Sequence, residues 1–151
     1  MKKYEFTGEV KVLFNRTLHQ IRATIAFGHI KVGDVGGWIE KEDNLSHEGN
    51  AWVCGNAWVY GNAKVCGDAE VCGNAHYLVV GPLGSRGGYT TFFRSKKLEI
   101  CVTCGCFRGN IDEFAEKVKQ THGENEHARK YMAAIEFAKT CIDLAAETKE
   151  E

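Results

Sequence analysis

A chain of 151 residues is long enough for one compact domain that buries roughly two thirds of its surface on folding. Its 19 basic and 20 acidic side chains leave a formal charge of -1, which excludes a broad field for long nucleic acid or an anionic membrane. The Met1 to Phe6 start lacks the apolar core of a signal peptide, and no run approaches the roughly 20 apolar residues of a membrane span, so a cytoplasmic protein is expected. Seven cysteines form an odd set, and a chain with an ample core needs no disulfide staples, so free thiols are the default expectation.

Residues 1–38 read as a β-hairpin and cap. Tyr4 to Glu9 and Leu18 to Ala23 have strand character, with Asn15-Arg16 near the turn. After Phe27, the glycines Gly28, Gly33, Gly36 and Gly37 punctuate a turn-rich passage that leads through Trp38 into residues 39–76.

There the period changes to six. Alanine recurs at 51, 57, 63, 69 and 75, valine at 53, 59, 65 and 71, and glycine at 55, 61, 67 and 73. In an α-helix each six-residue step would rotate the pattern by about 120°, so no single apolar stripe results. Three such steps close a triangle instead. A parallel β-solenoid with about 18 residues per coil turns every Val and Ala inward and puts each Gly-Asn or Gly-Asp at a corner. Ile39 and Leu45 extend the alanine register backwards, giving about two coils. Outward residues then stack one coil on: Trp52 beside Glu70, Trp58 beside His76, Cys54 beside Cys72. Outward tryptophans mark a protein contact, so Trp52, Trp58 and Tyr60 are either a homo-oligomer interface or a surface covered by a terminal segment.

Residues 77–109 are expected to form an antiparallel meander of three strands, entered at His76 (His76 to Val80, Tyr89 to Arg94, Leu98 to Thr103), with a glycine-rich loop from Gly81 to Gly88. Residues 110–151 carry two helices. Asn110 and Glu113 make a capping box, Ile111, Phe114 and Val118 share a face, and Gly123 stops the helix. The second helix spans about Asn125 to Ala146, with Ala128, Tyr131, Met132, Ile135, Ala138, Ile142 and Ala145 on a broad face before a charged tail, Glu147 to Glu151. The fold class is mixed and mainly β: hairpin, short parallel β-helix, meander, two helices.

The densest chemistry lies in the C-terminal half. Gly84, Ser85 and Arg86 offer backbone N–H groups, a hydroxyl and a planar guanidinium to an anion. Gly105 to Gly109 is read as a turn that places Arg108 at a helix N-terminus, where the dipole also favours an anion. Thr90 adds a hydroxyl, and Phe92, Phe93 or Phe107 a ring for a base, although at least two of these phenylalanines are expected in the core. Cys101, Cys104, Cys106 and His122 resemble a zinc set in composition, but strand alternation turns Cys101 away from Cys104, so no metal and no cofactor is expected. Among the six histidines, His76 and His47 are the two that a solenoid acyltransferase would use as a general base.

The Ala-x-Val-x-Gly-Asn units resemble the hexapeptide-repeat, left-handed β-helix superfamily, whose best-known members are trimeric acyltransferases. The particular form, Gly36 to Ser46 followed by Gly-Asn-Ala repeats, looks like a group of phage and prophage proteins of unassigned function. The tail is similar to that group's C-terminal module through Gly84-Ser85-Arg86, Thr90-Thr91-Phe92, Gly105 to Gly109, Asp112-Glu113-Phe114 and Thr121-His122-Gly123. The resemblance implies a phage-type accessory protein in a bacterial host cell and brings no catalytic residues with it. The resulting expectation is a non-catalytic homo-oligomer that binds an anionic, nucleotide-like molecule, such as a cyclic nucleotide or cyclic ADP-ribose immune signal. An acyltransferase and a protein–protein interaction module are the alternatives.

Overall fold

The computed structural model describes residues 2–73 and 76–144. The chain divides into two compact units, Met1–Asn74 and Ala75–Glu151. The architecture is mixed and mainly β, with both helices at its C-terminal end.

The first unit opens on the hairpin of β1 (Tyr4–Leu13) and β2 (Arg16–Ala23), both strands longer than expected. Its turn is Phe14-Asn15, with φ of 50° and 68°, the left-handed pair that suits the twist of a two-residue hairpin. A bulge interrupts β1 between Phe6 and Val10. Next, β3 (Val35–Ile39) pairs antiparallel with β2 and parallel with β5 (Trp58–Val59), while β4 (Trp52–Val53) pairs parallel with β6 (Glu70–Val71). The mixed sheet therefore runs β1-β2-β3-β5. Gly36 and Gly37 belong to β3, not to a turn. A Cβ at Gly36 would lie 2.6 Å from the Val53 carbonyl oxygen, and one at Gly37 2.8 Å from that of Ala57. Glycine is needed here because two backbones meet, not because a turn demands it.

The inward pattern of the repeats holds: Ala51, Val53, Ala57, Val59, Ala63, Val65, Ala69 and Val71 are buried, with Ile39 and Leu45. Register differs from expectation. Ile39 pairs with Val59 and Leu45 with Val65, so both stand in the valine register, 20 residues on, whereas Trp52 pairs with Glu70, 18 residues on. The two extra residues are taken up between Leu45 and Asn50, whose N–H donates to the Gly67 carbonyl. An insertion of two preserves the alternation of faces, so Leu45 stays inward. Within the 3-10 turn Glu42 to Asn44, the buried Asn44 amide accepts from the N–H groups of Glu40 and Lys41 and donates to the carbonyls of Gly61 and Ala63.

The inserted corner is where the N-terminus is held. Lys3 N–H donates to His47 Nδ1, the buried Lys3 Nζ donates to the carbonyls of Gly49 and Ala51, and Tyr4 Oη donates to Leu45 O at 2.7 Å. The His47 ring stacks on Tyr4 at 4.0 Å. Cys54 and Cys72 do lie side by side and form a disulfide, which corrects the default of free thiols; Cys66, Cys101, Cys104, Cys106 and Cys141 are thiols.

In the second unit, β7 (Tyr77–Leu83), β8 (Gly88–Arg94), β9 (Ile100–Cys104) and β10 (Phe107–Asn110) form an antiparallel sheet in the order β10-β9-β8-β7. It has four strands, not three. Phe107 to Asn110, expected as the end of a Gly105 to Gly109 turn and a helix N-cap, returns along β9 through the tight Gly105-Cys106 connection. Strand β7 runs through Gly81 and Pro82, which an edge strand tolerates, so the expected eight-residue loop shrinks to Gly84 to Gly87.

Helix α1 (Ile111–His122) carries the expected capping box, with Asn110 Oδ1 accepting from Glu113 N–H and Glu113 accepting from Asn110 N–H. Helix α2 (Glu126–Cys141) starts at the N-cap Asn125 and ends before Ile142, whose extended backbone turns its side chain into the core. The rest of the expected helix, Ala145 and Ala146, and the tail lie outside the described residues. Phe92, Ile100, Val102, Phe114, Tyr131 and Ile135 centre the core between sheet and helices. No helix among the described residues is long and apolar enough to cross a membrane.

Candidate functional site

Registers in the C-terminal sheet decide which expected ligand residues meet. Val80, Thr90, Cys104 and Phe107 form one cross-strand row; Val79, Thr91, Thr103 and Arg108 form the next. Adjacent rows face opposite sides of a sheet. Thr90 and Phe107 therefore share the helix-packed face with Phe92, and Arg108 lies on the other.

Phe92 and Phe93 are buried, and the half-buried Phe107 packs against Phe114 at 5.3 Å with the rings tilted by 46°. Phe92 and Phe93 offer no free face to a base, so the stacking role expected of Phe92 is corrected: its ring fills the core, and the half-buried Phe107 packs against that core. Arg108 stands two residues before the N-cap Asn110 of α1, in a strand where a turn was expected.

A smaller group does converge. Gly84 approaches the Tyr131 hydroxyl so closely that a Cβ there would collide with it. Thr90 Oγ1 donates to Cys104 Sγ at 3.2 Å, and the Cys104 thiol points at Tyr131 Oη at 3.9 Å. Burial first, and then the neighbouring Cys104 thiol, push the Tyr131 hydroxyl up to about 12, so it is a neutral donor at any physiological pH. His122 stacks on Tyr131 at 5.7 Å and contacts His127 at 5.4 Å. The exposed Ser85 and Arg86 sit in the Gly84 turn at this same end of the sheet. Sequence reasoning missed Tyr131, which it read as helix core, and nothing in its spacing marks the hydroxyl. An open groove of about 720 Å³ along Lys119, Gly123, Glu124, Ala128, Arg129 and Met132 contains none of the expected ligand residues.

In the N-terminal unit the outward aromatic residues separate. Trp52 is only 4% exposed, with Phe27 edge-on at 5.4 Å, so the chain's own N-terminal segment covers it and it is corrected as an interface residue. Trp58 pairs with Trp38 across parallel strands and is half-buried. Lys11 Nζ lies 4.4 Å from the Trp38 ring centre and 5.7 Å from that of Trp58. Arg16 bonds Glu40 at 2.8 Å and covers the Tyr60 ring. A cleft of about 160 Å³ is lined by Leu13, Phe14, Arg16, Leu18, Trp58 and Tyr60. Beside it Phe14 is 91% exposed, and Val10, Val12 and Tyr60 are exposed as well. The alternation of Val10, Val12 and Phe14 is visible in the sequence, but only the hairpin shows that nothing among the described residues covers them.

His47 does not stand as a general base: one ring nitrogen accepts from Lys3 N–H and the other meets Glu42 at 3.0 Å, so both are committed to holding the N-terminus. His76 is buried. Cys101 and Cys104 lie in rows of opposite face, as alternation requires, and no group of three metal-ligating side chains occurs among the described residues. No protein-family model matches the chain, and no curated protein matches it.

Proposed function

We propose that this protein acts by binding and that its N-terminal unit is a homo-oligomerising interaction module. The observation that carries this is Phe14 at the hairpin tip, almost wholly in water, with the exposed Val10 and Val12 on one face of β1 and the exposed Tyr60 in the cleft on the other. In this reading the repeats are a short triangular parallel β-helix of about two coils. The parallel pairings at Trp38–Trp58, Leu45–Val65 and Trp52–Glu70 support it, as does the resemblance to phage-type, left-handed hexapeptide proteins. Light scattering on the purified protein should give a multiple of the chain mass, and Phe14→Ser combined with Tyr60→Ser should lower it. A wild-type protein that stays monomeric at high micromolar concentration overturns the proposal.

A second reading, an anionic nucleotide-like ligand on the C-terminal unit, is favoured by the Gly84 turn, which holds Ser85 and Arg86 at the sheet end shared by Thr90, Cys104 and Tyr131. Ligand at about 100 times its dissociation constant adds roughly 2.7 kcal/mol, enough to raise the unfolding midpoint by several degrees. A cyclic nucleotide or cyclic ADP-ribose derivative should give that shift in the wild type and in Arg108→Ala, and lose it in Arg86→Ala. A shift with acetyl-coenzyme A alone would favour acyl transfer, and no shift with any of them removes the small-ligand reading.

A further inference from the structure

We propose that β1 pairs antiparallel with β1 of a second copy, across a two-fold axis that passes through Val12. The inference rests on the oligomeric reading above and names its interface. Strand β1 is the outermost of its sheet, with β2 on one side only. The two-residue turn makes Leu13 and Arg16 a hydrogen-bonded pair, so alternate residues Leu13 and Lys11 direct their N–H and C=O groups at β2. Val10 and Val12 direct theirs outward. An unpaired edge of this kind is a template for another strand unless a charge, a proline or a bulge blunts it. Here the bulge lies earlier, between Phe6 and Val10, and the one nearby lysine, Lys11, is drawn over the Trp38 ring instead of guarding the edge.

Hydrogen-bond parity and charge together select the register. A two-fold at Lys11 would oppose Lys11 to itself and bring inward-bonded groups to the edge. One at Glu9 would oppose two carboxylates, and one at Val10 would run Val12 into the bulge at Gly8. With the axis at Val12, the opposed strand residues are Val12 with Val12 and Lys11 with Leu13, and the Phe14-Asn15 turn of each copy comes beside Val10 and Glu9 of the other. No like charges meet, and the exposed Val10 and Val12 of each copy fall on one face of the joined strands. A two-fold contact is self-complementary, so the second copy supplies the same edge and the pairing closes.

Opposed residues of a hydrogen-bonded antiparallel pair have Cα atoms about 5.5 Å apart, within the span a disulfide bridges. Under mild oxidation Val12→Cys should therefore convert to a covalent dimer on a non-reducing gel. Thr17→Cys, which lies on β2 away from the axis, should stay at the background set by the native thiols. Val12→Lys, at a position already exposed, should keep the native circular dichroism spectrum while its mass by light scattering falls below wild type. If wild type is oligomeric but Val12→Cys crosslinks no more than Thr17→Cys, or Val12→Lys keeps the wild-type mass, this interface is wrong and the oligomeric reading survives. A monomeric wild type removes both.

Discussion

Val59→Asp will not give a folded N-terminal unit at neutral pH. Val59 is fully buried and pairs with Ile39 in the line of inward residues that joins one repeat to the next. An aspartate there must either keep its charge away from water or take up a proton. Protonation at pH 7 of a carboxyl whose ordinary value is about 3.9 costs about 4 kcal/mol. The lost valine burial adds about 2 kcal/mol, and the carboxyl has no built partner for its hydrogen bonds. The total is of the order of the whole stability of an ordinary domain, about 5–15 kcal/mol. Tyr60→Asp, one residue on and facing outward, should lose less than about 1 kcal/mol, most of it from the Arg16 contact. Circular dichroism and denaturant melts of the pair test the alternation directly. A native-like Val59→Asp at pH 7 would mean that the inward register is wrong. A partial recovery near pH 4, where protonation costs little, is the expected signature of the burial mechanism.

The features of this fold that were legible in sequence are those set by local rules. A hairpin with Asn15 at its turn, a capping box at Asn110 and Glu113, and an inward face that repeats every sixth residue each follow from neighbours in the chain. What escaped depends on a partner far away in sequence. The His47-Glu48 stretch lengthens the spacing between parallel partners from 18 to 20 residues, which no periodicity count shows because the alternation survives. Gly36 and Gly37 look like turn residues and are strand residues, since the reason for glycine is the backbone of Val53 and Ala57 pressing on them. Phe107 to Asn110 is too short and glycine-rich to read as a strand, yet β9 supplies its hydrogen bonds. Trp52 alternates outward and is buried all the same, because Phe27 covers it.

The candidate ligand residues divided along the same line. Gly84, Ser85 and Arg86 form one turn because they are adjacent. Arg108 parted from Thr90 and Phe107 because strand register, not proximity in sequence, decides the face. On these grounds Arg86, not Arg108, carries the small-ligand reading.

Lys3 should make the protein more stable as the pH rises from about 8 towards 10, against the usual behaviour of a lysine that gains a partner. Lys3 is 1% exposed, and burial lowers its ionisation from the ordinary 10.5 to about 8, against a lesser opposing effect from Cys66. Below pH 8 both folded and unfolded chains carry the proton, and Lys3 contributes no slope. Between about 8 and 10.5 the unfolded chain binds more protons than the folded one, so the unfolding free energy increases with pH. The gain is on the order of 2 kcal/mol once screening is allowed for. Tyr4 has the opposite sign: burial, and then the carboxylates of Glu42 and Asp43, raise its hydroxyl well above the ordinary 10.0. Its contribution is complete below pH 10 and is lost as the pH climbs beyond, so the rise due to Lys3 is clean only up to that point. Urea unfolding of wild type and Lys3→Met across pH 7 to 10 isolates the effect, because methionine keeps the bulk and removes the titration. The difference between the two should move in favour of wild type by more than 1 kcal/mol between pH 8 and 10. A difference that stays flat would show that the two carbonyls of Gly49 and Ala51 hold the ammonium ion as well as water does, and that the N-terminal strand is clamped at no electrostatic cost.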